Sequence, residues 1–271
     1  IKLKDELVAK PHTQGGFSVS TAVKKFPIYR ESTTRLYMPR YFGEAKFGIA
    51  KRMKVPEGVA ITVPFQGSLR TNQVPVVETY LNHVRQDKLF GSGGLLELPC
   101  AYGKTTLSLY ICSELKVKTL VIVHKEFLLN QWIERIREFL PTARVGRIQG
   151  TTIDIENKDI VIGMLQSLSM KDYPDGTFSS FGLTIIDEVH HISSEVFSCA
   201  LFKIVTKYML GLSATMNRKD GTTKVFKMFL GDVVYKGDRD QEHDVIVRGI
   251  QYRSDDDDFN SIVTNFRGDV V

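Results

Sequence analysis

From Leu95 onward, short apolar runs rich in β-branched residues alternate with longer segments whose apolar residues recur at helical spacing. A strand buried on both faces reads as a continuous apolar run, and parallel strands need crossover helices between them. The strings "GGLLELP", "KTLVIVH", "KDIVIGM", "FGLTIIDEVHH" and "YMLGLSAT" predict five such strands, with "RVGRIQG" continuing the alternation. Between them, Leu107, Leu109, Tyr110, Ile111 and Leu115 form one helical pattern. A second, ended by Pro141, holds Leu128, Leu129, Trp132, Ile133, Ile136, Phe139 and Leu140. The expected fold class is α/β, a doubly wound parallel sheet with helices on both faces.

Three stretches are expected. Residues 1–64, where "FSVSTAVKKFPIYRESTTRLYMPRYFG" mixes Tyr, Thr and Ser with turn formers, read as a small α+β module. Residues 65–235 hold the alternating pattern, and 236–271 form a tail with one strand-like run, "DVIVRGIQYRS", and the acidic run Asp255 to Asp258, read as a solvated loop.

A hydrophobic fraction of 42% and a charged fraction of 25% exclude disorder throughout. No apolar run spans a bilayer and no signal-peptide pattern is present, so the expectation is an intracellular chain with no membrane partner. Cys100, Cys112 and Cys199 lack C-x-x-C spacing, which argues against a disulfide framework or a zinc cluster. The net charge is +5, with early cations such as Lys24, Lys25, Arg30, Arg35 and Arg40 interleaved with Tyr29, Tyr37, Tyr41 and Phe42. That mixture suits a polyanionic partner. The first residue is Ile, as expected of a fragment or trimmed product.

Chemistry collects where apolar runs end. Gly103, Lys104 and Thr105 follow one strand and open a helix, as in a phosphate-binding loop, although Leu98 stands where the general pattern has its first glycine. Lys104 would reach the phosphates and Thr105 would hold Mg²⁺. Asp187 directly follows "LTII", placing a carboxylate for Mg²⁺ at a strand end, and Glu188 beside it would orient and deprotonate the attacking water. His190 and His191 lack the zincin spacing and read as polar loop or coupling residues. Ser213, Ala214 and Thr215 stand at a further strand end, where the two hydroxyls could bond to His190 or to backbone.

In this order, "LPCAYGKT", "TIIDEVHH" and "GLSATMNRKDG" resemble motifs of the superfamily 2 helicases, over roughly residues 65–235. The loop beginning Leu-Pro-Cys resembles the XPB-like branch, with Ala101 and Tyr102 as departures, and "RLYMPRYFGEAKFG" is similar to a segment of XPB-like helicases of large DNA viruses, the poxvirus and asfarvirus transcript-release type. The resemblance implies RecA-like domains, of which this chain holds the first and the start of a second; no Gln-x-x-Gly-Arg-x-x-Arg motif follows. It implies ATP as ligand, contacted by Arg70, Gln73, Pro99, Cys100, Ala101, Tyr102, Gly103, Lys104, Thr105 and Thr106, with Gln73 reading adenine.

It further implies coupling through His190, Ser213, Ala214 and Thr215, and nucleic-acid backbone contact through His124, Lys125, Gln131, Gln166 and Ser167. The implied partners are duplex or single-stranded DNA, a second RecA-like domain of the same polypeptide, and transcription or repair machinery. RNA is the second choice of strand, and the alternative to an unwinding enzyme is a nucleotide-gated nucleic-acid-binding module without processive unwinding. The implied setting is host cytoplasm, viral factory or virion for a viral protein, and nucleus for a cellular one. Lys219 replaces an acid of the branch between Arg218 and Asp220.

Overall fold

The computed structural model describes residues 2–10, 25–52, 54–86, 92–191, 194–215, 223–237 and 255. The chain divides into one unit at Ile1–Asp238 and another at Arg239–Val271. Of the second unit only Asp255, exposed, is described. The strand expected at "DVIVRGIQYRS", the rest of the acidic run, and Arg218, Lys219 and Asp220 lie outside the described residues.

The chain opens with helix α1 (Lys2–Glu6) and strands β1 (Val8–Ala9), β2 (Phe26–Pro27), β3 (Arg30–Glu31) and β4 (Leu36–Tyr37), followed by helices α2 (Arg40–Phe47) and α3 (Val74–Arg85). Next come β5 (Gly93–Glu97), α4 (Lys104–Leu115), β6 (Thr119–Val123), α5 (Glu126–Phe139), β7 (Val145–Gln149), β8 (Thr152–Ile153), β9 (Ile160–Met164) and α6 (Leu165–Met170). The order closes with β10 (Leu183–Ile186), α7 (Ser194–Leu201), β11 (Tyr208–Ser213), α8 (Thr223–Leu230) and β12 (Val233–Lys236).

Eight strands form one sheet in the order β12-β5-β11-β10-β6-β9-β7-β8. Every neighbouring pair is parallel except β7 with β8. All five expected strands are present, and the sheet is wider than five because β7, β8 and β12 extend its edges. Successive side chains leave a strand on opposite faces, so each apolar run feeds two cores. Leu96, Val121, Ile162, Ile185 and Leu210 face Val76, Tyr80, Leu107, Ile111, Trp132 and Ile136 of α3, α4 and α5. Leu95, Ile122, Val161, Ile186 and Met209 face α6, α7 and α8 through Leu168, Phe197, Ala200 and Phe226. The sheet is the doubly wound RecA-like sheet.

The early residues form two antiparallel strand pairs, β1 with β2 and β3 with β4. Ala9, Phe26 and Ile28 sit in the second core cluster, and α2 packs against α8. No described helix is long and apolar enough to cross a membrane.

One charged clamp fixes the starts of β7 and β9. Asp159, 5% exposed, accepts from the Arg144 backbone N–H at 2.8 Å and from its guanidinium at 2.9 and 2.7 Å. The guanidinium holds the Asp159 carboxyl below the usual carboxylate value. Its contribution to stability is therefore present above the unfolded-chain value, about pH 4, and is lost as pH falls through the lower folded value. Asp159→Asn is expected to lower the melting temperature by a constant margin from pH 5 to 7, a margin that closes toward pH 2 (both bounds ~1 unit or more from about pH 4). Melting curves across that range check it; a margin independent of pH contradicts it.

Candidate functional site

β5 leaves the sheet at Leu98, whose N–H donates to the Ser213 carbonyl at 2.8 Å. The loop Pro99 to Gly103 follows, with positive φ at Ala101 (65°) and Gly103 (81°), and α4 begins at Lys104. Among the described residues no side chain caps α4. The unpaired N–H groups of its first turn carry partial positive charge, which makes this helix end a ready place for an anion.

Residues ahead of α3 clamp the loop. Gln73, 2% exposed, accepts from the Arg70 N–H at 2.9 Å and donates through Nε2 to the Tyr102 carbonyl at 2.9 Å. The Arg70 guanidinium donates to the Ala101 carbonyl at 3.2 Å, and the Tyr102 hydroxyl donates to the Asn72 carbonyl at 2.8 Å. Gln73 thus ties the loop, through Nε2, to its own segment, held through Oε1, a task its expected reading of adenine did not include. A Cβ on Gly103 would lie 2.4 Å from Gln73 Nε2, so any other residue there adopts a strained left-handed backbone and displaces the Gln73 amide.

The acids arrive from β10. Asp187 follows Ile186 directly, its N–H bonded to the Ile122 carbonyl at 3.1 Å, and is 5% exposed. Its Oδ2 accepts from Trp132 Nε1–H at 2.8 Å and its Oδ1 from the Glu188 N–H at 2.9 Å. Burial raises the Asp187 carboxyl above the ordinary carboxylate value, and the Glu188 charge adds to this, against the pull of the Trp132 N–H and Lys104. Glu188 stands at φ 49°, a left-handed conformation for a non-glycine residue. Its Oε1 lies 3.0 Å from Lys104 Nζ and its Oε2 3.3 Å from His190 Nδ1.

Ser213 extends this chain. Its Oγ is 3.0 Å from His190 Nδ1, donates to the Thr215 carbonyl at 2.5 Å and accepts from the Thr215 N–H at 3.2 Å. A hydroxyl has one proton, so the hydrogen between His190 and Ser213 belongs to Nδ1; Glu188 Oε2 lies near that nitrogen without a hydrogen bond to it. Ser213 thus joins the His190 ring to the Thr215 backbone, with Glu188 close to the same ring; Ala214 lies between Ser213 and Thr215, half-buried. The sequence left His190 and backbone open as partners of these hydroxyls; the Ser213 hydroxyl meets both, and Thr215 meets Ser213 through its backbone.

Cys100 and Ala101 are exposed, and Pro99, Tyr102, Thr105 and Thr106 are half-buried around the loop. His124 and Lys125 follow β6, and Gln166 and Ser167 follow the adjacent β9. They share the strand-end edge with the loop but stand beyond β11 and β10 from it. Lys125, Gln131 and Gln166 are exposed, and His124 and Ser167 half-buried. Ser167 Oγ accepts from the Gly150 N–H at 3.0 Å. Sequence reasoning placed Trp132 in an apolar stripe and in a helix whose resemblance implies nucleic-acid contact, not beside Asp187; the available signal was that a buried indole N–H needs a partner.

A glycine-turned loop at a helix start thus faces strand-end acids on one edge of the sheet. A family model described as "Type III restriction enzyme, res subunit" matches residues 66–218, and the chain belongs to that family, among the superfamily 2 helicases. Protein L396 of Acanthamoeba polyphaga mimivirus, named provisionally as an ATP-dependent RNA helicase, is 35% identical over 84% of this chain and 43% of its own length. The DNA 3'-5' translocase XPB2 of Sulfurisphaera tokodaii is 32% identical over 73% and 43%. The chain thus spans under half the length of these relatives. The UvsW helicase of bacteriophage T4 shares the fold, with a TM-score of 0.58 at 16% identity over 86% of this chain and 92% of that one.

Gly103→Ala is expected to weaken nucleotide binding about 10-fold or more, since left-handed strain of about 1–2 kcal/mol alone approaches that factor. Titration with a fluorescent ATP analogue checks it; unchanged affinity would show that the loop binds in another conformation.

Proposed function

We propose that this chain is the ATP-binding half of a superfamily 2 DNA helicase or translocase, coupling Mg-ATP hydrolysis to movement on, or opening of, duplex DNA in viral transcription or repair. The observation that carries this reading is the 3.0 Å contact of Lys104 with Glu188 beside Asp187, which gathers the loop after β5 and the acids after β10 at one point.

The phosphates would take the place Glu188 now occupies beside Lys104, meeting that ammonium and the first-turn N–H groups of α4. Glu188, released, would accept a proton from the attacking water. His190 lies 3.3 Å from Glu188 and is hydrogen-bonded to Ser213, so a shift of Glu188 would be felt at Thr215 through that ring. The Thr105 hydroxyl and the Asp187 carboxylate are hard oxygen donors that suit Mg²⁺ and would hold it, Asp187 through water. The ion would neutralise charge on the β- and γ-phosphates. A second RecA-like domain of the same polypeptide would supply the arginine fingers that the resemblance implies.

On the same strand-end edge, Lys125, Gln131 and Gln166, with His124 and Ser167, would meet the nucleic-acid backbone, and the basic and aromatic residues of 1–64 would add phosphate contacts. The relative named as a DNA translocase favours DNA. The relative named as an RNA helicase supports RNA as the second reading.

In the complete protein, Glu188→Gln is expected to retain ATP binding and lose on the order of 100-fold or more in turnover. Unchanged turnover would remove Glu188 from its role. Turnover of the complete protein, measured at one salt concentration with duplex DNA, single-stranded DNA or single-stranded RNA, tests the strand. DNA stimulation is the expected result, stimulation by RNA alone establishes the second reading, and no turnover under any condition contradicts both.

A further inference from the structure

Trp132 is the chain's one tryptophan and is fully buried among α4, α5 and the sheet. A phenylalanine would supply much of the same apolar contact. What phenylalanine lacks is the N–H that reaches Asp187 Oδ2 at 2.8 Å, across 55 residues of sequence. The other oxygen, Oδ1, accepts from the Glu188 N–H at 2.9 Å. Two donors from different elements therefore fix both the tilt and the rotation of a carboxylate that is 5% exposed. Both donors are neutral. They lower the cost of burying the charge without adding a cation that competes for it, whereas Lys104, the nearby ammonium, lies against Glu188 instead.

We propose that Trp132 is a positioning residue for Asp187: its indole N–H holds the carboxylate in the one orientation that presents its remaining lone pairs to the Mg²⁺ of the nucleotide site. Partners that orient a metal-binding group in this way are typically worth about 10- to 100-fold in metal affinity. The assignment rests on the nucleotide-site reading above. It also joins that site to α5, since Gln131, the residue before Trp132, is exposed on the helix expected to meet the strand.

A single tryptophan gives a single indole N–H signal in a ¹H–¹⁵N correlation spectrum of the ¹⁵N-labelled chain, and this reports the bond without any nucleotide. Asp187→Asn, which exchanges a charged acceptor for a neutral one, should move that signal; an unmoved signal overturns the proposal, whether or not ATP binds. Titration of the wild-type chain with a non-hydrolysable ATP analogue should shift the same signal further with Mg²⁺ than with EDTA. An equal response in the two conditions overturns the link to the metal.

Trp132→Phe should leave analogue affinity in EDTA unchanged and reduce the Mg²⁺-dependent gain in affinity about 10-fold or more. Equal losses with and without Mg²⁺, or no loss, would make Trp132 a core residue only. If Trp132→Phe fails to fold, the Asp187→Asn spectrum decides. Absence of analogue binding by the wild-type chain in both conditions would count against the nucleotide-site reading, and the Asp187→Asn spectrum would still test the bond.

Discussion

Burial of the central strands on both faces dictates where chemistry can occur in this chain. β6, β9 and β10 are buried along their whole length, with apolar side chains directed into two separate cores. An unpaired polar group within such a strand would be costly. Side chains that bind or react can therefore stand only where the backbone leaves the sheet. Because these strands are parallel, their carboxyl ends share one edge, where Ser213 ends β11 and Lys104, Asp187, His124 and Gln166 follow strands.

Within that edge, local strain and charge occur together. Ala101, Gly103 and Glu188 all have positive φ. For the two non-glycine residues this costs roughly 1–2 kcal/mol each, and such positions persist where surrounding contacts over-determine them. Gln73, Arg70 and Tyr102 impose the loop's shape, while the Asp187 and Lys104 contacts impose that of Glu188. The Lys104 and Glu188 side chains remain 11% and 23% exposed. On the other side His190 lies 3.3 Å from Glu188 and is hydrogen-bonded to Ser213.

The central strands were legible because burial on both faces leaves an unmistakable apolar run, as in "TLVIV" and "LTII". The loop and acids were legible because each follows such a run. β12 was not, since its residues are only partly buried and it sits at the edge; β8 and the early strands are two residues long, too short to show a period. The contacts that shape the site were largely hidden. Trp132 with Asp187 and Gln73 with Tyr102 meet only after the sheet has assembled, and nothing in the local pattern around Trp132 distinguishes a core indole from one that donates to a buried acid.

The central claim is that the loop and the strand-end acids form one nucleoside triphosphate site. Calorimetric titration of the 271-residue chain with Mg-ATP tests it most directly. One saturable site per chain, competed by ADP and weakened when Mg²⁺ is removed, is the predicted result. No saturable binding at millimolar nucleotide, or binding indifferent to Mg²⁺, would contradict it.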